Sequence, residues 1–132
     1  MRTKVALFVA VIAVLVAGVP IVAHHSFAAQ FDASKPLKLT GVVTKMEWTN
    51  PHAWFWMDVT DANGKVTNWG IEFGSPNGLM RQGWTRKSLK PGDSVTIEGT
   101  YARDGSSTGN ARSVVLSSGQ RLFAASSQGV TP

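Results

Sequence analysis

The spacing of apolar residues changes character along this chain. From Val5 to Ala23 the residues are uncharged and mostly apolar, with no period that separates two faces. Alternation begins at Leu37. "LKLTGVVTKMEW" sets Leu37, Leu39, Gly41 and Val43 on one side, with Val42, Met46 and Trp48 further along the other. Its β-branched content predicts a strand, and Gly41 inside it predicts a bulge or strong bend. "AWFWMDV" alternates more cleanly: Ala53, Phe55, Met57 and Val59 share one face, and Trp54, Trp56 and Asp58 the other. After the turn signal Asn63-Gly64, "VTNWGIEF" aligns Thr67, Trp69, Ile71 and Phe73, so residues 53–73 predict a β-hairpin.

The period then shifts. In "GSPNGLMRQGWTRKSLKPGD", Ser75 can cap, Pro76 suits a first helical turn, and Leu79, Met80, Gly83 and Trp84 form a helical stripe that ends before Pro91-Gly92. "SVTIEGTYA" returns to alternation, with Val95, Ile97, Gly99 and Tyr101 on one face. "RDGSSTGN" is a polar turn, "ARSVVLS" a last full strand, and "SGQRLFA" a turn with a short returning segment. The order β-β-β-α-β-β predicts an all-β domain with one short helix, a five-stranded OB-like Greek-key barrel over residues 37–124. A closed barrel leaves no long edge strand exposed. An open β-sandwich of similar strands is the competing architecture. The helix between the third and fourth strands, where a barrel needs a plug, favours the barrel.

The ends read differently. Arg2 and Lys4 before the apolar run, then Gly18, Pro20 and small Ala23, predict a signal peptide over residues 1–23. The alternative is an uncleaved anchor, since Val5 to Ala23 could nearly cross a bilayer. Cleavage would leave no membrane span. Residues 24–36 are expected to form an extended arm and residues 125–132 a disordered tail. The whole chain carries 13 Lys and Arg against 8 Asp and Glu, a formal +5, which falls to +3 without Arg2 and Lys4. That excess is spread along the chain, so no nucleic-acid partner is expected. With no cysteine there is neither a disulfide nor a thiolate metal site, and the aromatic residues must help hold the core.

The chain has three histidines: His24 and His25 at the expected new N-terminus, and His52 in "TNPHAW". The last lies in the loop between strands one and two, a loop that OB-folds use for binding. Pro51 would stiffen it. If processing follows Ala23, the free amine and imidazole of His24 can chelate one metal, with His25 or His52 adding a third nitrogen. Such a set suits copper(II), and imidazoles alone also suit zinc. The plainer alternative is a frayed terminus, a loop histidine bonded to backbone, and no cofactor. Trp48, Trp54 and Trp56 beside His52 form a second candidate site, able to stack a ligand or partner. Against that, Phe27 and Phe31 of the arm could pack across the indoles. Trp69 and Trp84 are expected in the core. Glu47, Asp58 and Glu72 read as isolated, solvated acids. No G-x-S-x-G, phosphate loop or H-E-x-x-H is present, so the chain is read as a non-enzyme.

Four stretches, "HHSFAAQFD", "LTGVVTKMEWTNPHAWFWMDVTDANGK", "NWGIEFGSPNGLMRQGWTRKSLKPGD" and "ARSVVLSSGQRLFA", together resemble a family of small exported bacterial proteins classed as a domain of unknown function. The resemblance implies a periplasmic protein of a Gram-negative bacterium and brings no established activity. Two readings stay open. One is a periplasmic protein holding copper or another divalent ion through His24, His25 and His52. The other is a metal-free OB-like module that binds a peptide, glycan or envelope protein through its tryptophan-rich face.

Overall fold

The computed structural model describes residues 27–125, so the expected signal peptide, His24, His25 and the expected tail beyond Ala125 lie outside the described residues. Residues 27–30 form a helical turn. There follow β1 (Phe31–Glu47), β2 (Trp54–Thr60), β3 (Val66–Glu72), α1 (Pro76–Arg81), β4 (Ser94–Ala102), β5 (Thr108–Leu116) and β6 (Arg121–Phe123). The sheet order is β3-β2-β1-β4-β5-β6, and parallel pairing of β3 with β5 closes the first five strands into a ring. This is the OB-type barrel that the element order predicts, with β6 added against β5.

Strand β1 is shared between two partners. Its first part runs antiparallel to β4 and its last part antiparallel to β2, with Val42 opposing both Ser94 and Asp58. Gly41 sits at this handover. A Cβ there would lie 2.3 Å from the Asp58 carbonyl oxygen, so only a glycine lets the strands approach this closely. The expected irregularity falls slightly later, as a register shift between Val43 and Lys45. β1 also begins at Phe31, ahead of the expected Leu37. Phe31 pairs with Ala102, residues 32–35 loop out, and pairing resumes at Pro36. The looped residues, Asp32, Ala33, Ser34 and Lys35, are mostly polar and exposed and carry no large apolar side chain, which breaks the alternation that would mark a strand.

The core is the inner face of this ring. Phe55, Met57, Ile71, Phe73, Val95, Ile97 and Val114 meet there, and Phe73 stands edge-on to both Phe55 and Trp84. α1 plugs one end. Ser75 accepts from Gly78 N at 3.2 Å, Leu79 is fully buried, and Trp84 beyond the helix is buried with its Nε1 donating to Phe123 O at 2.8 Å. Met80, expected on the buried stripe, is 53% exposed, because the short helix turns Pro76 and Leu79 inward and leaves Met80 on its outer side. Trp69 is only partly buried, packing on the core's rim and against Tyr101. β4 departs from the expected alternation as well. Thr100 and Ala102 are buried and Tyr101 is exposed, while on the neighbouring strand a register shift between Glu98 and Gly99 leaves Arg112 of β5 as the extra residue.

Candidate functional site

The hairpin register decides what lies on the outer face of β2 and β3. Trp54 opposes Glu72 and Trp56 opposes Gly70, while across the barrel seam Glu72 opposes Asn110 and Gly70 opposes Thr108. On the other side Glu47 opposes Trp54 and Lys45 opposes Trp56. Two rows of side chains therefore cross four strands. The half-buried indoles of Trp54 and Trp56 stack at 6.2 Å between ring centres and 25° between planes. They lie over Gly70, where a Cβ would come within 3.2 Å of Trp56 Nε1 and 3.8 Å of the Trp54 ring. The Lys45 ammonium pairs with the Glu47 carboxylate at 2.5 Å and stands 4.7 Å from the Trp56 ring centre, over the negative face of the indole.

Glu72 is the unusual member. It reads as a solvated strand acid in the sequence but is 95% buried, its exposure being 5%. Its Oε1 accepts from His52 Nδ1 at 3.1 Å and from Asn110 Nδ2 at 3.1 Å. Burial pushes the Glu72 carboxyl above the ordinary glutamate range, while the His52 charge and the hydrogen bonds of Asn110 and His52 pull the other way.

Trp54 and Glu72 line an open cleft of about 520 Å³. Its far side is the β4–β5 loop with Arg103, Asp104 and Ser106, and Phe31 with the turn before it closes one end. Arg103 fastens that turn. Its backbone N donates to Gln30 O at 2.8 Å, its Nε donates to Ala28 O at 2.6 Å, and its guanidinium faces Asp32 at 3.7 Å. The Asp104 carboxylate accepts from Ser106 N at 2.9 Å and is held below the ordinary range by its hydrogen bonds with Ser106.

The candidate residues thus separate. Trp54 lines the cleft and Trp56 stacks beside it, whereas Trp48 packs against the core and does not line the cleft. His52 is brought to the cleft's buried acid, and its carbonyl accepts from Thr49 Oγ1 at 3.2 Å in a loop whose Asn50–Pro51 peptide is cis. Among the described residues no three of His, Asp and Glu converge as a metal site. The arm forms a wall of the cleft and leaves the indoles half-exposed: Phe31 is buried with Phe27 at 5.4 Å between rings.

Glu72 and the 103–108 loop are the parts that the linear pattern hides, yet the faces carry a clue. Phe55 and Met57 can oppose Ile71 and Trp69 only if the hairpin loop holds an odd number of residues. That parity places Glu72, not Phe73, opposite Trp54.

Among the described residues no helix is long and apolar enough to cross a membrane. No curated protein matches the chain. Among solved structures the chain is similar to the mitochondrial single-stranded DNA binding protein Rim1 of S. cerevisiae, with 9% identity, a TM-score of 0.49, and coverage of 63% of this chain and 93% of that one. The model for the Family of unknown function (DUF6152) matches residues 11–112, and the chain belongs to that family.

Proposed function

We propose that this chain is a small exported binding protein of the periplasm whose ligand occupies the cleft between Trp54, Glu72 and the β4–β5 loop. The observation that carries this reading is Glu72, a carboxylate 95% buried that still lines an open cleft. Desolvating such a group is costly, and placing it beside an aromatic wall builds a polar anchor in an apolar setting. The outer face of strands two and three is also the side on which OB-type barrels bind their ligands. Glu72 and Asp104 in the cleft, with Glu47 beside it neutralising Lys45, disfavour a phosphate backbone, so the proposed ligand is a peptide, glycan or envelope protein and no nucleic acid. The reading is of a binding protein without catalysis. It is supported by the lack of a recognised nucleophile motif in the sequence. Intrinsic fluorescence titration of the processed protein with an alanine-rich peptide pool and with chitotriose tests it. One probe is expected to saturate the wild type and to be lost in Trp54→Ala. Equal binding by that variant rejects the cleft.

A second reading has its own support. A divalent metal, copper foremost, would be held by His24, His25 and His52. The contact of His52 Nδ1 with Glu72 favours it, because a carboxylate on one imidazole nitrogen fixes the ring and leaves Nε2 as a ligand. Copper(II) titration of the protein with its native N-terminus, compared with His52→Ala, decides this. Affinity and spectrum unchanged in the variant remove the three-histidine site.

A further inference from the structure

We infer that the cleft takes the side-chain cation of an arginine or lysine in an extended peptide segment of a partner protein. This rests on the proposed use of the cleft as a binding site and names its occupant. The first support is Glu72, a largely dehydrated carboxylate that lines the open cleft and meets the His52 ring and the Asn110 amide through Oε1. A charged N–H donor is the strongest partner such a carboxylate can take. The second support is Trp54, which opposes Glu72 on the neighbouring strand and lines the same space. An indole face beside a carboxylate suits a cation that can stack and donate together. The indole pair already receives one, since Lys45 stands over Trp56.

Charge on the other wall agrees. Asp104 faces the cleft, and the cationic residue of that wall, Arg103, is turned to the arm: its Nε is bonded to Ala28 O and its guanidinium faces Asp32. The same residue shows that this wall can hold a peptide, because its backbone N and Nε already take two carbonyls of residues 28–30. An extended partner segment would run beside that turn and lower its cation between Trp54 and Glu72.

The test compares the peptide Ac-Ala-Arg-Ala-NH2 with its citrulline counterpart, which keeps the shape and loses the charge. Binding to the processed protein is measured by calorimetry and by the indole Nε1 resonance of Trp54. The arginine peptide should bind at least about tenfold more tightly, the equivalent of one charge-assisted hydrogen bond. Glu72→Gln should shrink that preference to about twofold or less. Equal affinity of the two peptides, with the Trp54 resonance moving in both, overturns the cation and leaves the cleft as a binding site. Failure of both peptides to move Trp54 overturns the inference, while the chitotriose titration judges the cleft by itself. Because the peptide comparison is made on the wild type, its outcome does not depend on how the variant folds.

Discussion

Glu72 concentrates the chemistry of the outer face, and its protonation should be visible in the stability of the protein. Its carboxyl titrates above the ordinary range because burial outweighs the help of His52 and Asn110. The folded state therefore holds this proton more tightly than the unfolded chain. The associated stability is fully present below the unfolded glutamate value, about 4.3, and is lost as pH rises through the higher folded value. Glu72→Gln has no such proton to lose. Its stability relative to the wild type should rise between about pH 4 and pH 7, as measured by urea unfolding across that range. A flat or falling difference would mean that the carboxylate is well compensated. Asp32, Asp93, Glu98 and Asp104 behave oppositely, being held low chiefly by side-chain hydrogen bonds from Ser34, Lys90, Arg121 and Ser106 respectively. Their contribution is present above the unfolded aspartate and glutamate values and is lost as pH falls through the depressed ones, so the acid flank is separate from that of Glu72.

The β2–β3 hairpin shows how much of the site could be read from the sequence. The alternation in "AWFWMDV" correctly turns Phe55 and Met57 inward and Trp54 and Trp56 outward. Asn63-Gly64 marks the turn, but the loop is wider than a two-residue hairpin. Asp61 Oδ1 accepts from both Asn63 N and Lys65 N, and strand pairing resumes only at Thr60 and Val66. A tight Asn-Gly turn would slip the register by one residue and set Phe73 beside Trp54. The burial of Glu72 depends in addition on β5 crossing to pair with β3, a contact between distant segments that no local pattern encodes. The face also depends on Gly70, whose missing side chain leaves room for both indoles. Gly70→Val should push them off the strand, abolishing their exciton coupling in circular dichroism and reddening the emission. Retention of the coupling would show that the indoles do not rest on this strand.

At the scale of the molecule, the barrel holds the site by joining segments far apart in the chain. The 28–31 segment, the β2–β3 hairpin and the β4–β5 loop meet only because β1 spans β2 and β4 while β3 closes onto β5. The strand order was legible because each element has its own period, and the helix falls where the barrel is open. The docking of Phe31 was not legible, since the polar residues after it mask its pairing with Ala102. Phe31→Ala should cost about 3–5 kcal/mol, as for other fully buried phenylalanines, and should also loosen the end of the cleft. Chemical denaturation checks the first, and increased quenching of Trp54 checks the second. The proposed ligand rests against Trp54. The direct measurement is an indole ¹H–¹⁵N map of all five tryptophans during titration of the protein with Ac-Ala-Arg-Ala-NH2. Trp54 should move first and furthest, with Trp56 following and the core residue Trp84 still. Movement led by Trp48 or Trp84, with Trp54 unchanged, would contradict the account.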